Sequence, residues 1–325
     1  MKNYSVKQYQ ERDYTNWNTF IGQAKNATFL FHRDFMEYHK DRFEDFSLMV
    51  FEDKKLVAVL PANKVGAIVY SHQGLTYGGL VCNEQSKLTT VINAFRSVLL
   101  FLNENKVEKL HVKTIPSIYH TKPSEEIQYA LFLAEAKLVR RDSLSVIDLS
   151  QKNNFSKIRK RGIQKGILSG LIIKEEEVFE SFWNEILIPN LNERHDAEPV
   201  HSIAEMNLLK NNFPQNIRQF NVYFNDKIVA GTTVFESETV AHCQYISKYE
   251  QDENLGSLDF LYHFLITEVF ADKRFFDFGI SNEDQGRKLN EGLSYWKESF
   301  GASAIVHDFY EVETVNHFKL ENIFI

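Results

Sequence analysis

The chain has 325 residues, 43% of them apolar and 25% charged, with 14 Gly and 6 Pro. That is enough chain for about two domains with buried cores, and it excludes a disordered, collagen-like or mucin-like protein. A net charge of −7 excludes a generic polyanion binder, and two cysteines, Cys82 and Cys243, are too few for a disulfide framework or a cysteine zinc site and point to a reducing compartment.

The first residues carry no apolar run, and no window approaches the ~18 apolar residues of a membrane span. A cytoplasmic protein is expected, one that is at most peripheral to the inner membrane face. Residues 46–62 (FSLMVFEDKKLVAVLPA) alternate apolar and polar around a turn at Asp53-Lys54 and predict a β-hairpin. A loop with three glycines follows at 72–79 (HQGLTYGG). Helical periodicity marks 87–103, a short strand 109–114, a helix 124–136 and a strand 139–149.

The second half opens on a basic helix over 153–169, a strand at 171–174 and helices at 177–192 and 204–212. Between those helices, 193–201 (ERHDAEPVH) is polar and broken by proline, which predicts a loop. A second hairpin covers 220–235 (FNVYFNDKIVAGTTVF), with a strand at 241–247. Then come a helix at 257–271, a strand at 275–278, a helix at 289–300 and a strand at 304–310.

The order hairpin, helix, strand, helix, strand therefore occurs twice, and the hairpins register on Val57 and Val229. The chain reads as a duplicated α/β unit, with domains at 1–150 and 151–325 and a mixed sheet flanked by helices in each. Charge divides unevenly. The first half holds 19 Lys/Arg against 17 Asp/Glu, the second 18 against 27. Within the acidic half, 152–165 holds six cations and no acid. Lys157, Arg161 and Lys165 recur every fourth residue and share one helix face, with Phe155, Ile158 and Ile163 expected toward the core. Such a stripe suits a diphosphate or an RNA backbone, or else pairs with Glu175, Glu176 and Glu177.

Several segments carry a family resemblance: SKIRKRGIQKGILSGLII, DKIVAGTTVF, NLGSLDFLYHFLI, FFDFG and GLSYWKESFG. In that order, within a doubled unit, they resemble the Fem-type aminoacyl transferases, a tandem form of the GNAT acyltransferase fold. The stretch Tyr295-Trp296-Lys297-Glu298-Ser299-Phe300-Gly301 is similar to an aromatic-x-Lys-x-x-Phe-Gly stretch of that family. The resemblance implies transfer of an acyl or aminoacyl group to an amine. The donor is anionic, acyl-CoA or aminoacyl-tRNA, and no cofactor is permanently bound. The amine acceptor is a cell-wall or surface-polysaccharide precursor, nucleotide-linked or lipid-linked. An acetyl-CoA-dependent N-acetyltransferase on an amino sugar or small molecule, and an inactive module that binds a nucleotide-sugar or tRNA, stand as alternatives.

On this resemblance the second half carries the donor site and the cleft between halves takes the acceptor. The phosphate loop of such enzymes corresponds to 252–257, where Gly256 and Ser257 are retained but Asp252 and Glu253 are unfavourable beside a pyrophosphate. Ser257 also suits a plain helix cap. Lys297 is placed to stabilise negative charge on the carbonyl or leaving group. Aminolysis needs an amine made neutral and a leaving group protonated, for which His242 is the candidate base and Tyr245 the acid. Strand alternation puts His242 and Gln244 on one face and Tyr245 on the other. Glu283 and Asn282 follow a strand end, where clefts open, with Glu283 a further catalytic candidate and Asn282 an acceptor contact. Tyr77 and Gly78 in the three-glycine loop, and Arg194 and His195 in the polar loop, are the other acceptor candidates. No metal-ligand spacing is present. Asp277-Phe278-Gly279 matches a kinase magnesium motif by letter only, since the catalytic and ATP loops of kinases are missing. With no activated Cys or Ser nucleophile in the sequence, attack is expected to be direct.

Overall fold

The computed structural model describes residues 2–152, 154–249 and 255–325, and of Arg194 and His195 the backbone alone. Two compact units result. One holds 1–142 together with 306–325, and the other holds 143–305. The division thus falls inside a strand, eight residues before the 150/151 boundary expected from the sequence, and the last twenty residues return to the first unit.

The first unit contains strand β1 (Tyr4–Gln8), helix α1 (Tyr14–Ile21), the hairpin β2 (Leu48–Glu52) and β3 (Lys55–Leu60), and short strands β4 (Asn63–Val65) and β5 (Ile68–Tyr70). Helix α2 (Leu88–Glu104), strand β6 (Lys109–Lys113) and helix α3 (Glu126–Leu133) follow. The hairpin turns at Asp53, in the left-handed region that Asp tolerates. Along α2 the buried residues Val91, Phe95, Val98 and Leu102 recur at three and four positions, which is the spacing of one helix face. That face meets Leu48, Val50, Val57 and Ala58 of the hairpin in one apolar core.

Strand β7 (Lys137–Asp148) crosses from the first unit into the second. Then come α4 (Lys157–Leu168), β8 (Ile172–Glu176), a continuous helical run over 180–195 (α5), and α6 (Ile203–Asn212). Strands β9 (Ile217–Phe224), β10 (Lys227–Glu236) and β11 (Val240–Lys248) lead to α7 (Ser257–Phe264), β12 (Phe275–Ile280), α8 (Glu291–Glu298) and β13 (Ser303–Glu313). The second unit's sheet has the order β8-β9-β10-β11-β12-β7. Its β9–β10 turn places Asn225 and Asp226 both at positive φ, the conformation of a tight two-residue hairpin.

The predicted elements recur with their ends shifted by a few residues. The polar loop is the one clear difference. Helix α5 runs on to His195 and stops at Asp196, whose φ of 46° breaks it, so Arg194 and His195 are helical rather than in the loop. In α4, Ile163 is buried, but Ile158 is 47% exposed and does not face the core as expected. Arg159 takes that side instead and ion-pairs with Asp259. One side of the second unit's sheet is filled by rings. Tyr262, Phe276, Phe278, Trp296 and Phe300 stack edge-on or tilted, with centroids 5.0–6.0 Å apart.

Candidate functional site

Strands β11 and β12 run parallel and pair at three positions only: Val240 with Phe275, Ala241 with Phe276, and His242 with Asp277. Beyond His242 and Asp277 each strand continues without the other. Both are irregular there. In β11, Gln244 is an extra residue, because Thr233 pairs with Tyr245 while Val234 pairs with Cys243. In β12 the register against β7 slips between Asp277 and Ile280. Bulges of this kind bend a strand and re-aim its side chains.

The bulge at Gln244 corrects the face assignment. His242 lies opposite Phe235 and Tyr245 opposite Thr233, two residues apart on β10 and so on the same face. His242 and Tyr245 therefore share a face, and simple alternation fails because one residue is inserted between them.

At the fork, His242 Nδ1 lies 2.9 Å from Asp277 Oδ2. Asp277 is fully buried between Phe276 and Phe278, and its other oxygen accepts the Gly279 N–H at 2.7 Å. A carboxylate so placed holds the imidazole with Nδ1–H donated to it and the Nε2 lone pair outward. Gly279 has φ +72°, which lets β12 turn away at this point. The turn directs the carbonyls of Gly279 and Ile280 at Lys297, whose Nζ donates to them at 3.1 and 2.6 Å. Lys297 is 2% exposed, so it is not a surface lysine. Burial pulls its ammonium down to about 8, against the opposing pull of Asp277. Two of its three N–H groups are used, and the third has no partner among the described residues.

Tyr245 lies with its hydroxyl 2.6 Å from His201 Nδ1, and it accepts the His201 backbone N–H at 3.2 Å. Its ring packs edge-on against Trp183, and burial pushes its phenol up to about 12. Cys243 points to the opposite side, where burial raises its thiol far above the ordinary range. Cys82, in the first unit, is pushed up to about 12 by the same cause.

The remaining sequence candidates fall elsewhere. Glu283 is exposed in a small hairpin, 3.4 Å from the Asn290 amide. Asn282 accepts the Ser143 N–H at 2.7 Å and ties β7 to that hairpin. Gly256, not Ser257, is the cap of α7 and is at φ +70°. A Cβ on Gly256 would lie 2.2 Å from the Gly162 carbonyl oxygen, so α4 closes over the start of α7. Ser257 is buried in the first turn, its Oγ without a partner among the described residues. Asp252 and Glu253 lie outside the described residues, as do the side chains of Arg194 and His195. Lys157, Arg161 and Lys165 are exposed on the outer face of α4. The acids considered as their partners are engaged elsewhere: Glu175 with Arg218, Glu176 with Asn221 and Tyr223, and Glu177 with Lys210. In the first unit Tyr77 is a core residue, bonded to Thr28 and packed on Tyr119, while Gly78 donates its N–H to Lys113.

Asp277 and the pairing of His201 with Tyr245 were missed from sequence. Asp277 had a signal. It is the only charged residue in FFDFGI and stands between two core phenylalanines.

No family model and no curated protein matches the chain in sequence. Among solved structures, that of FemX superposes over 98% of this chain and 99% of its own, with a TM-score of 0.68 and 10% identity. The fold is Fem-like, with two GNAT-type units. The same fold is similar to the structure of L-PGS from Bacillus licheniformis, with a TM-score of 0.54 and 10% identity over 85% of this chain and 90% of that one. A tandem GNAT protein from the clavulanic acid biosynthesis pathway matches over 97% and 99%, with a TM-score of 0.51 and 8% identity. In this fold the fork between β11 and β12 brings together His242, Asp277 and, through β12, Lys297. Among the described residues no helix is long and apolar enough to cross a membrane.

Proposed function

We propose that this chain transfers an acyl or aminoacyl group to an amine by direct aminolysis, with His242 as the proton acceptor. One observation carries the reading: two parallel strands part at a His–Asp pair whose carboxylate is buried. The gap that opens suits an extended acyl group, and the imidazole at its base suits an amine that must lose a proton. Nε2 takes the proton as the amine nitrogen bonds to the carbonyl carbon, while Asp277 steadies the imidazolium. Tyr245, on the same face, protonates the leaving group. Lys297 supplies positive charge against the negative charge that develops on the carbonyl or leaving group. The high thiol of Cys243 keeps it out of nucleophilic catalysis, in accord with direct attack.

The donor is anionic, and the exposed face of Lys157, Arg161 and Lys165 is its contact. The Gly162 carbonyl, packed against Gly256, disfavours a pyrophosphate at that helix start. This favours aminoacyl-tRNA over acyl-CoA. The resemblance of the sequence to Fem-type transferases suggests an acceptor amine on a cell-wall or surface-polysaccharide precursor. The likeness to a tandem GNAT protein supports a second reading, an acetyl-CoA-dependent N-acetyltransferase.

Supplying aminoacyl-tRNA and acetyl-CoA in parallel, with amine acceptors, separates the two. His242→Gln is expected to lower turnover at least about 100-fold, the low end for loss of a general base, with the melting temperature retained. Turnover unchanged in that variant overturns the assignment of the base. No transfer with either donor in the unaltered chain leaves a binding module.

A further inference from the structure

The first unit holds a pocket that the transfer chemistry does not use. The strand Val81–Cys82 pairs with β3 of the hairpin, whereas β6 pairs with β5 and β13. The two therefore lie in different sheets, with α2 as the connection between them. At the start of the one and the end of the other is about 220 Å³ of empty space, part of it open to solvent. Leu80, Val112, Ile115 and Ile127 supply its apolar walls.

Polar side chains also line it: Asn26, Thr114, His120 and Ser124. Two of them are committed to backbone. Asn26 donates to the Leu80 carbonyl at 3.0 Å and accepts the Cys82 N–H at 2.8 Å, and Thr114 Oγ1 donates to the Asp308 carbonyl at 2.9 Å. The His120 ring is not so committed. Its backbone N–H is fixed on the Ser117 carbonyl at 3.1 Å and the residue is 8% exposed, but Nδ1 is buried without a hydrogen-bond partner among the described residues. A buried nitrogen left unpaired is unfavourable, and a ligand that pairs with it removes the penalty. Burial pulls the imidazole down to about 4, against the opposing pull of the Ile115 backbone, so the ring is neutral at pH 7. None of the residues lining the pocket is then charged, and a charged ligand group would lose its hydration there without gaining a counter-charge.

We propose that this pocket in the first unit binds the hydroxyl group of a neutral small molecule, with His120 Nδ1 as its hydrogen-bond partner and Ser124 as a second polar contact. A hydroxyl both donates and accepts, so it pairs with Nδ1 in either tautomer of the neutral ring. The aliphatic walls take the short carbon chain that carries it. The site stands independently of the transfer reading, because it is tested by binding alone.

The test uses the full chain labelled with nitrogen-15 in its histidines. Propanol, propionate and propylammonium share a chain length and differ in charge, and each is titrated separately while the His120 ring nitrogens are followed by NMR. A saturable shift of the Nδ1 resonance is expected with propanol, and none with either ion at the same concentration. The methyl resonances of Ile115 and Ile127 report binding in variants that lack the imidazole. His120→Phe, which keeps a ring and removes the nitrogen, should weaken propanol binding about fivefold, the effect of losing one hydrogen bond. His120→Asn, which returns a polar atom near the Nδ1 position, should recover part of that loss. An Nδ1 resonance unmoved by propanol means that the pocket holds an ordered water only, and it overturns the proposal. Equal binding of either ion, or undiminished propanol binding in His120→Phe, overturns it as well.

Discussion

Asp277 touches His242 directly and sets the electrostatic surroundings of Lys297, so one substitution is read out at both. The Lys297 ammonium is held near 8 by burial, and Asp277 is the largest influence raising it. Asp277→Asn removes that support, and the Lys297 midpoint should fall below 8, followed by carbon-13 NMR of the lysine side chain. An unmoved midpoint would show that the two groups do not interact. The folded midpoint lies below the ordinary lysine value of 10.5, so the folded state binds fewer protons than the unfolded chain between pH 8 and 10.5. This group's contribution to stability therefore rises with pH across that window and is unfavourable below it. His242, Tyr245 and Lys297 were legible in the sequence as residue types on the right elements. Their grouping was not. Alternation along a strand holds only until a residue is inserted, and nothing in AHCQYIS marks Gln244 as the inserted one. Glu283 was attractive because it follows a strand end, but Gly279 bends β12 before that point and Glu283 is left in an exposed hairpin.

Helices and strands followed from apolar periodicity, and here the sequence was most informative. Contacts between elements were less so. In α4, Gly162 and Gly166 are weak helix formers by composition alone. Their use shows only when α7 is present: a Cβ on Gly162 would lie 1.7 Å from Asp259 Oδ2, and one on Gly166 would lie 2.5 Å from the Phe260 Cβ. The helix is thus glycine on the face against α7 and cationic on the other, and the cations were the more visible half. Gly162→Ala should force the helices apart and disturb the pairing of Arg159 with Asp259. A loss of about 1–3 kcal/mol is expected from overpacking. Gln164→Ala, on the exposed face of the same helix, should stay within about 0.5 kcal/mol. Chemical denaturation of the two variants checks both figures, and equal stability would show that α4 does not pack through its glycines.

At the scale of the whole chain, the doubling of the element order was readable, but the assignment of the final strands was not. A repeat suggests that each half closes its own sheet. Instead β7, at the end of the first half, pairs through residues 144–148 with β12 of the second unit. The last strand, β13, pairs through Phe309–Glu313 with β6 of the first. Local pattern cannot distinguish these outcomes, because an amphipathic strand fits either sheet edge and only the path of the chain decides. The first unit is therefore discontinuous, and its integrity depends on residues far away in sequence. Val312 and Leu320 are buried in its core, and Thr314 Oγ1 donates to the Val107 carbonyl at 2.6 Å. A chain ending at residue 305 loses all of these and leaves the backbone groups of β6 unpaired on one side. Loss of two fully buried aliphatic side chains alone removes about 3–6 kcal/mol, a large part of the stability of a domain this size. In the truncated protein the amides of α2 and β6 should lose hydrogen-exchange protection while those of β9 and β10 keep theirs. Equal loss in both sets would show a single cooperative unit, and retained protection in α2 would show that 1–142 folds without its returning strand.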